Sequence, residues 1–391
     1  MVYHSIIGLD MHSEKKLNIA MVIDVYDDTK NGGAISLKRF ADHIGKNHNI
    51  TIVSTGDARE GKVSVPNFYI PLVKNIMVRM KFTFGRPKDK ILTEAFKNKD
   101  LVHVQFPFFL GYKSIMLAKK AGVPVVSGFH VQPENILYNI GIRSKFMVKF
   151  LYKLFVKYIY NNTDAVICPS RFAENKLKKY GLKSPSFVVS NGIPHHFRPI
   201  NTRRNPEYDD KFVILTVGRM AKDKRHDVLI KAILKSKHRK RIQLIATGDG
   251  PKKNALIQMG KSLPNTPVFD FVPFDELIRL YNTADLYVHP SEVELESMSV
   301  LEAIGCGLPA LISDAPASAA VQFAVDRKFL FRHNDVNDLA AKIDYWIDNK
   351  NELAVYREKY LALSMEFKFE NSLRKMEEMY LVYSGKRKPN T

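Results

Sequence analysis

Two glutamates, Glu294 and Glu302, frame the segment with the most chemical content, HPSEVELESMSVLEAIGCGLPAL. Residues 297–306 have helical character, and Ser297 could cap the first turn. Because a helix N-terminus offers free N–H groups and a partial positive charge, such a site suits a diphosphate. One carboxylate could then hold sugar hydroxyls and the other ribose hydroxyls. The pair fits a solvated acidic loop before an ordinary helix equally well.

Two further segments place glycine at the end of a strand-like run. Residues 217–224 (VGRMAKDK) lie between a predicted strand and a predicted helix, and residues 246–251 (ATGDGP) leave the next strand in the same way. A glycine turn lets the backbone approach a phosphate, and Arg219 and Lys224 add fixed positive charge. Glycine is also common in such turns for backbone reasons alone, so each segment by itself is a weak indication.

The elements that would position these segments alternate in a regular order. Short apolar runs of strand length alternate with helical patterns, which predicts parallel strands joined by helices. The predicted strands are residues 17–25, 49–54, 101–105, 123–128, 165–169, 212–217, 242–247, 268–271, 286–289 and 310–313. This order predicts an α/β protein with two doubly wound parallel sheets, which bind ligands at the carboxyl ends of their strands.

The division into domains follows from length and from one polar stretch. A chain of 391 residues exceeds one ordinary core, and residues 198–211 (RPINTRRNPEYDDK) have the composition of a linker. We therefore predict an N-terminal domain over residues 1–200 and a C-terminal domain over residues 201–365. Residues 366–391 are predicted to form a C-terminal helix and tail, which could cross back to the N-terminal domain.

The net charge of +20 is concentrated in the N-terminal half. Residues 1–200 contain 30 Lys and Arg against 14 Asp and Glu, an excess of 16, which leaves +4 for the rest of the chain. Such an excess attracts polyanions, either nucleic acid or anionic lipid. Ordered RNA-binding signatures and basic low-complexity tails are absent from the sequence, so no nucleic-acid partner is expected.

Residues 143–160 (RSKFMVKFLYKLFVKYIY) carry a periodic part of this charge. The lysines that recur every fourth residue are Lys145, Lys149, Lys153 and Lys157. On a helix they form one stripe, and such a helix could lie in a membrane interface with its lysines reaching anionic headgroups. The stripe also fits a packed helix with one exposed edge. A second basic and aromatic stretch, residues 74–90, favours the membrane.

The sequence contains few signs of export, redox chemistry or metal binding. Cys168 and Cys306 lie in apolar surroundings and fit small core residues better than a disulfide or a zinc site. Residues 1–16 are a poor signal peptide, and nowhere do about 18 apolar residues run together. We expect a cytoplasmic protein, peripheral at the inner face of the membrane. No Asp-x-Asp motif occurs, so neither a metal nor another cofactor is expected.

Together these segments resemble the family 4 glycosyltransferases, retaining enzymes of GT-B fold. The resemblance extends over about residues 17–383 and rests on a collinear set of motifs. In the C-terminal half the set is residues 189–199 (VSNGIPHHFRP), 217–224, 246–251 and 284–294 (ADLYVHPSEVE), with Glu302. In the N-terminal half it is Gly32 and Gly33, residues 102–105 (VHVQ), 128–135 (GFHVQPEN) and 164–170 (DAVICPS). It implies two Rossmann-like domains that face a central cleft.

The resemblance also implies a role for individual residues. Arg219 and Lys224 would stabilise the departing diphosphate, while Glu302 would hold the ribose and Glu294 the donor sugar. His130 would line the acceptor side, although it also fits a polar residue that closes a strand end. The implied catalytic residues are His130, Arg219, Lys224 and Glu294. The implied donor-binding residues are Gly33, Gly218, Arg219, Lys224, Val272, Glu294, Ser297, Met298 and Glu302.

The sequence departs from the family pattern at two places. Leu295, Glu296 and Ser297 stand where members often have Gly-Phe-Gly, and residues 315–320 (APASAA) replace a usual Gly-Gly…Glu stretch. A second carboxylate beside a diphosphate is unfavourable unless Glu296 points away from it. These differences bear on the identity of the donor sugar.

These implications define the expected reaction. A hexose would move from a nucleotide-sugar, expected to be a UDP-sugar, to a hydroxyl acceptor with retention of configuration. The basic N-terminal half favours a membrane lipid of the diacylglycerol or ceramide type as the acceptor. The alternatives are a polysaccharide or polyprenyl-linked glycan acceptor, or a nucleotide-sugar epimerase on the same fold.

Overall fold

The computed structural model describes residues 16–71, 74–79 and 82–386. Its strands are β1 Asn18–Val22, β2 Asn49–Ser54, β3 Lys62–Ser64, β4 Asn67–Phe68, β5 Phe84–Gly85, β6 Leu101–Val104, β7 Val125–Gly128, β8 Ala165–Cys168, β9 Ser186–Val188, β10 Phe212–Val217, β11 Ile242–Thr247, β12 Val268–Asp270, β13 Leu286–His289, β14 Val293–Glu294, β15 Ala310–Ser313, β16 Ala317–Ser318 and β17 Leu330–Phe331. Its helices are α1 Gly32–Ile44, α2 Lys74–Arg79, α3 Asp89–Phe96, α4 Phe109–Lys120, α5 Pro133–Asn139, α6 Lys145–Tyr158, α7 Arg171–Lys179, α8 His226–Lys235, α9 Lys253–Gly260, α10 Phe274–Thr283, α11 Met298–Gly305, α12 Val336–Asp348, α13 Lys350–Ser364 and α14 Phe369–Tyr383. Residues 1–15, where the sequence predicts no targeting segment, lie outside the described part of the chain.

Two separate parallel sheets organise the chain. The N-terminal sheet has the order β3-β2-β1-β6-β7-β8-β9, and the C-terminal sheet has the order β12-β11-β10-β13-β15-β17. All the strand pairs within these two sheets are parallel. Their apolar strands are buried because helices cover both faces. The prediction of two doubly wound sheets is therefore confirmed.

The strand order of each sheet reverses beside its first strand. In the N-terminal sheet the reversal lies between β1 and β6, and in the C-terminal sheet between β10 and β13. Loops that leave two such strands diverge to opposite faces of the sheet, which opens a crevice at their carboxyl ends. The first turn of α1 and the loop before α11 start at these two points.

The last helix belongs to the N-terminal layer. Residues 198–211 run between the sheets as a loop with one short 3₁₀ turn. After α13 the chain returns, and Phe369 and Tyr380 of α14 pack in the same apolar core as α1. His103 Nδ1 lies 2.5 Å from the hydroxyl of Tyr380, which fixes this helix on β6. The two domains are thus connected by two chain crossings.

Within the described residues, no helix combines the length and apolarity that would be needed to cross a bilayer. Cys168 and Cys306 are both buried free thiols.

Candidate active site

Two helices from different domains begin opposite each other. A Cβ on Gly32, the first residue of α1, would lie 3.9 Å from Sδ of Met298, the first residue of α11. Gly33 is in the first turn of α1, where a Cβ would lie 2.6 Å from the Phe106 ring, so this position needs glycine. The starts of the two helices, with their partial positive charges, therefore lie next to each other.

Glu294, which precedes α11, forms a close ion pair with Lys224. Lys224 Nζ donates to Glu294 Oε1 at 2.5 Å, and His289 Nε2 lies 3.1 Å from the same oxygen. Burial alone would raise the pKa of Glu294, but the charge of Lys224 and the contact with His289 lower this pKa well below its usual range. The site therefore holds a half-buried carboxylate whose ionised form is favoured by its partners.

Asp223 joins Lys224 to the other cation of the same turn. This fully buried carboxylate lies 3.8 Å from Arg219 and 3.9 Å from Lys224. Asn135 of α5, in the N-terminal domain, donates to it at 2.8 Å. Asp223 and Asn135 are not among the site residues predicted from the sequence, although both stand inside motifs that the sequence analysis names.

The glycine turns interlock behind these cations. Gly218 has φ +152°, and a Cβ there would meet open space. A Cβ on Gly248 would lie 2.0 Å from the carbonyl oxygen of Gly218, so the two loops touch backbone to backbone. Arg219 is thereby held at the carboxyl end of β10.

Glu302 lies in the second turn of α11 and is already engaged. Its Oε1 accepts a hydrogen bond of 2.8 Å from Arg39 of α1, and its Oε2 accepts one of 3.2 Å from the hydroxyl of Tyr281. Arg39 also lies over the ring of Phe197. The sequence reasoning singled out Glu302 but neither Arg39 nor Tyr281.

The prediction that Ser297 caps α11 is wrong. The helix begins at Met298, and Ser297 has φ +97° and makes no capping hydrogen bond with its side chain. Its hydroxyl lies 3.3 Å from His289 Nε2 instead. A positive φ turns this residue out of helical geometry and is unfavourable for a side chain that is not glycine.

The carboxylate of Glu296 is engaged by Asn191, a residue that also accepts a hydrogen bond from Ser36 of α1. Its Oε2 accepts hydrogen bonds from the backbone N and the side-chain Nδ2 of Asn191, at 2.8 and 2.6 Å. Burial raises the pKa of Glu296 to about 7, against the lowering effect of hydrogen bonds from Ser190 and Asn191. Glu296 thus connects the loop before α11 to the residues that precede the interdomain linker, residues 198–211.

His130 and Val272 follow strands of different sheets. His130 follows β7, its ring packs against Gly128, and burial lowers its pKa to about 4, so the ring is neutral near pH 7. Two residues later Gln132 donates to the carbonyl of Ala317 in β16, the partner strand of β14. Val272 follows β12 and packs partly buried against the C-terminal core.

Helix α6 has two different faces. Val148, Tyr152 and Val156 are buried in the N-terminal core. The four lysines at positions 145, 149, 153 and 157 form an exposed stripe beside this buried face. Phe146 and Phe150 lie among them with 74% and 47% of their surface exposed. The helix is therefore a packed element that also presents a basic and aromatic face.

No group of three or more His, Cys, Asp or Glu side chains in the described part of the chain is placed to hold a metal ion. Independence from metals and cofactors stays a prediction.

Two parallel-sheet domains with a charged site at their facing switch points define a protein of GT-B fold. The Glycosyltransferase Family 4 model matches residues 30–197, and the Glycosyl transferases group 1 model matches residues 197–361. The chain therefore belongs to the glycosyltransferases that these two models describe.

Similar proteins include enzymes whose names refer to different sugars. An α-monoglucosyldiacylglycerol synthase of Streptococcus pneumoniae is 25% identical over 77% of this chain and 72% of its own length. A GDP-mannose-dependent α-mannosyltransferase of Corynebacterium glutamicum is 22% identical over 76% of this chain and 72% of its own. Anabaena HepE in complex with UDP-glucose superposes with a TM-score of 0.73 at 16% identity, covering 93% of this chain and 99% of HepE. That likeness shows the fold.

Proposed function

We propose that this protein transfers a hexose from a UDP-sugar to a hydroxyl group of a membrane lipid, with retention of the anomeric configuration. The observation that carries the proposal is that two helix N-termini lie next to each other, together with Arg219 and the Lys224–Glu294 pair. This arrangement suits an anionic diphosphate that is joined to a polar sugar.

Each part of the donor has a candidate partner in this proposal. The diphosphate lies between the starts of α1 and α11 and is neutralised by Arg219 and Lys224. Glu294, ionised and fixed by Lys224, accepts hydrogen bonds from sugar hydroxyls. Glu302 accepts hydrogen bonds from the ribose, and Val272 lies beside the base. The contact with Asn191 fixes the position of the second carboxylate, Glu296.

The proposed chemistry takes place on one face of the sugar. The acceptor oxygen forms a bond to the anomeric carbon on the face from which the diphosphate departs, and the acceptor proton passes to the departing diphosphate oxygen. Negative charge that develops on this oxygen is stabilised by Arg219, Lys224 and the helix N-termini. Glu294 serves as an electrostatic and hydrogen-bonding partner. No divalent cation is required.

The lipid acceptor is supported by the exposed face of α6 and by the similarity to a diacylglycerol-modifying enzyme. The protein would then be peripheral at the membrane. The similarity to GDP-mannose-dependent enzymes supports a second candidate, mannosyl transfer from GDP-mannose. The two candidate functions differ in the nucleotide that the protein binds, which is a uridine nucleotide in one and a guanosine nucleotide in the other.

Donor and acceptor can be identified together. Purified protein is offered UDP-glucose, UDP-galactose or GDP-mannose with vesicles that contain diacylglycerol or ceramide, and the lipid extract is separated by thin-layer chromatography. The proposal expects a new glycolipid from a UDP-sugar. A product from GDP-mannose alone would replace the donor assignment, and sugar transfer to glycans but to no lipid would contradict the acceptor assignment.

A further inference from the structure

Six phenylalanines form one continuous cluster beside the carboxyl end of β6 in the N-terminal sheet. They are Phe68, Phe82, Phe84, Phe106, Phe108 and Phe109. Two belong to the antiparallel pair β4–β5, one lies just before β5, two lie in the loop between β6 and α4, and Phe109 is the first residue of α4. Neighbouring ring centroids are separated by between 4.9 Å, for Phe84 and Phe108, and 6.3 Å, for Phe82 and Phe106. We call this set the phenylalanine cluster.

The inner end of the phenylalanine cluster touches the candidate active site. Phe106 follows the carboxyl end of β6 and is only 3% exposed. Its ring is the group that a Cβ on Gly33 would meet at 2.6 Å, so it packs directly under the first turn of α1. Phe106 therefore connects the phenylalanine cluster to the helix start that borders the candidate active site.

The outer end of the phenylalanine cluster is open to solvent. Phe109, the first residue of α4, is 53% exposed. Tyr112 and Met116, three and seven residues later on the same face of α4, are 41% and 46% exposed. Large apolar side chains that are exposed next to one another commonly mark a binding surface.

The chemistry of this surface differs from that of α6. Lys113 of α4 is paired with Asp89 at 3.0 Å, whereas the exposed face of α6 carries four lysines. Aromatic side chains offer a large apolar contact area to hydrocarbon, and the exposed lysines of α4, Lys119 and Lys120, lie at the opposite end of the helix from Phe109. The face of α6 suits anionic headgroups, and the phenylalanine cluster suits an apolar chain or ring.

We propose that the phenylalanine cluster and the exposed face of α4 bind the apolar body of the lipid acceptor and lead its hydroxyl group to the donor. This inference rests on the proposed function, since it requires an acceptor with an apolar body. It makes acceptor recognition a property of the β4–β5 pair and α4, separate from the attachment of α6 to the membrane.

The test uses a water-soluble acceptor, monomeric dihexanoylglycerol, without vesicles. The variant Phe109→Ser/Tyr112→Ser removes two exposed rings of the surface, and Phe146→Ser removes an exposed ring of α6 as the matched control. The double variant should raise the KM for dihexanoylglycerol about tenfold or more, because apolar contact area is lost. Its Kd for UDP should stay unchanged. Phe146→Ser should leave both constants unchanged.

Binding of dihexanoylglycerol without donor, measured by calorimetry, separates this inference from the proposed function. Binding by the wild type that the double variant weakens, without any turnover, would contradict the proposed function and support the inference. Turnover with the same KM in the wild type and the double variant would overturn the inference. Weaker sedimentation of the double variant with vesicles at an unchanged KM would also overturn it and would assign this surface to the bilayer.

Discussion

Arg39 and Glu302 are joined across the domain boundary, with Arg39 Nη2 2.8 Å from Glu302 Oε1. Tyr281 takes the other carboxylate oxygen. Both carboxylate oxygens of Glu302 are therefore bonded before the donor arrives. In the proposed function the same carboxylate accepts hydrogen bonds from the ribose hydroxyls. A ribose must therefore displace the guanidinium of Arg39 from this carboxylate or share the carboxylate with it.

Replacement of Arg39 should strengthen nucleotide binding. In Arg39→Met the carboxylate of Glu302 loses its cation and gains more from a ribose, so we expect the Kd for UDP to fall about three- to tenfold. Calorimetric titration with UDP measures this, and Arg39→Lys, which keeps the charge, is the control. Weaker binding by Arg39→Met would mean that Arg39 contacts the nucleotide itself.

Replacement of Lys224 should stop transfer while leaving lipid binding unchanged. Lys224→Met removes a cation at the leaving group and leaves Glu294 with His289 as its remaining partner, so we expect kcat/KM to fall about 10²–10³-fold. The matched control is Lys222→Met, which changes an exposed lysine of the same turn. Initial rates with the UDP-sugar measure the effect. Near-wild-type turnover in Lys224→Met would remove Lys224 from the donor site.

Glu296→Gln should change stability with pH. The pKa of Glu296 is raised from 4.5 to about 7, so the native state binds a proton that the unfolded state releases, and stability falls as pH rises from about 4.5 to 7. Glutamine copies the neutral form. We expect Glu296→Gln to match the wild type at pH 4.5 and to be more stable at pH 8, by up to about 3 kcal/mol. Tm values at both pH values measure this, and an equal difference at both would contradict it.

The lysine face of α6 should bind anionic membranes. Each lysine near an anionic surface contributes at most about 1 kcal/mol, so replacing all four by Gln should weaken sedimentation with anionic vesicles strongly and leave UDP binding unchanged. The replaced residues are Lys145, Lys149, Lys153 and Lys157. The control replaces four exposed lysines of the C-terminal domain, namely Lys231, Lys240, Lys261 and Lys359. If both variants sediment like the wild type, α6 is only a packed helix.

The sequence predicts the fold well where a strand is a long apolar run. The bounds predicted for residues 212–217 and 242–247 are those of β10 and β11. The edge strands β9 and β17 were not predicted, since they have three and two residues and no apolar run. Their pairing depends on the neighbouring strand rather than on local sequence.

The residues of the candidate site also differ in whether local sequence can predict them. Glu294 and Lys224 could be named from motifs, because each motif is local. Arg39 could not, because it meets Glu302 from 263 residues away and only folding brings the two together. Asn191 stands inside a recognised motif, yet its contact with Glu296 depends on a residue that departs from the family pattern.

The proposed function is tested most directly by following the anomeric carbon of the donor. Purified protein is incubated with UDP-glucose labelled with ¹³C at C1 and diacylglycerol vesicles, with and without EDTA, and the lipid extract is examined by NMR. Retaining, metal-independent transfer predicts a lipid glucoside with the α configuration of the donor, formed equally in both samples. Glu302→Ala should give no such product. A β-linked product, or a product that requires a metal, would contradict the proposed function.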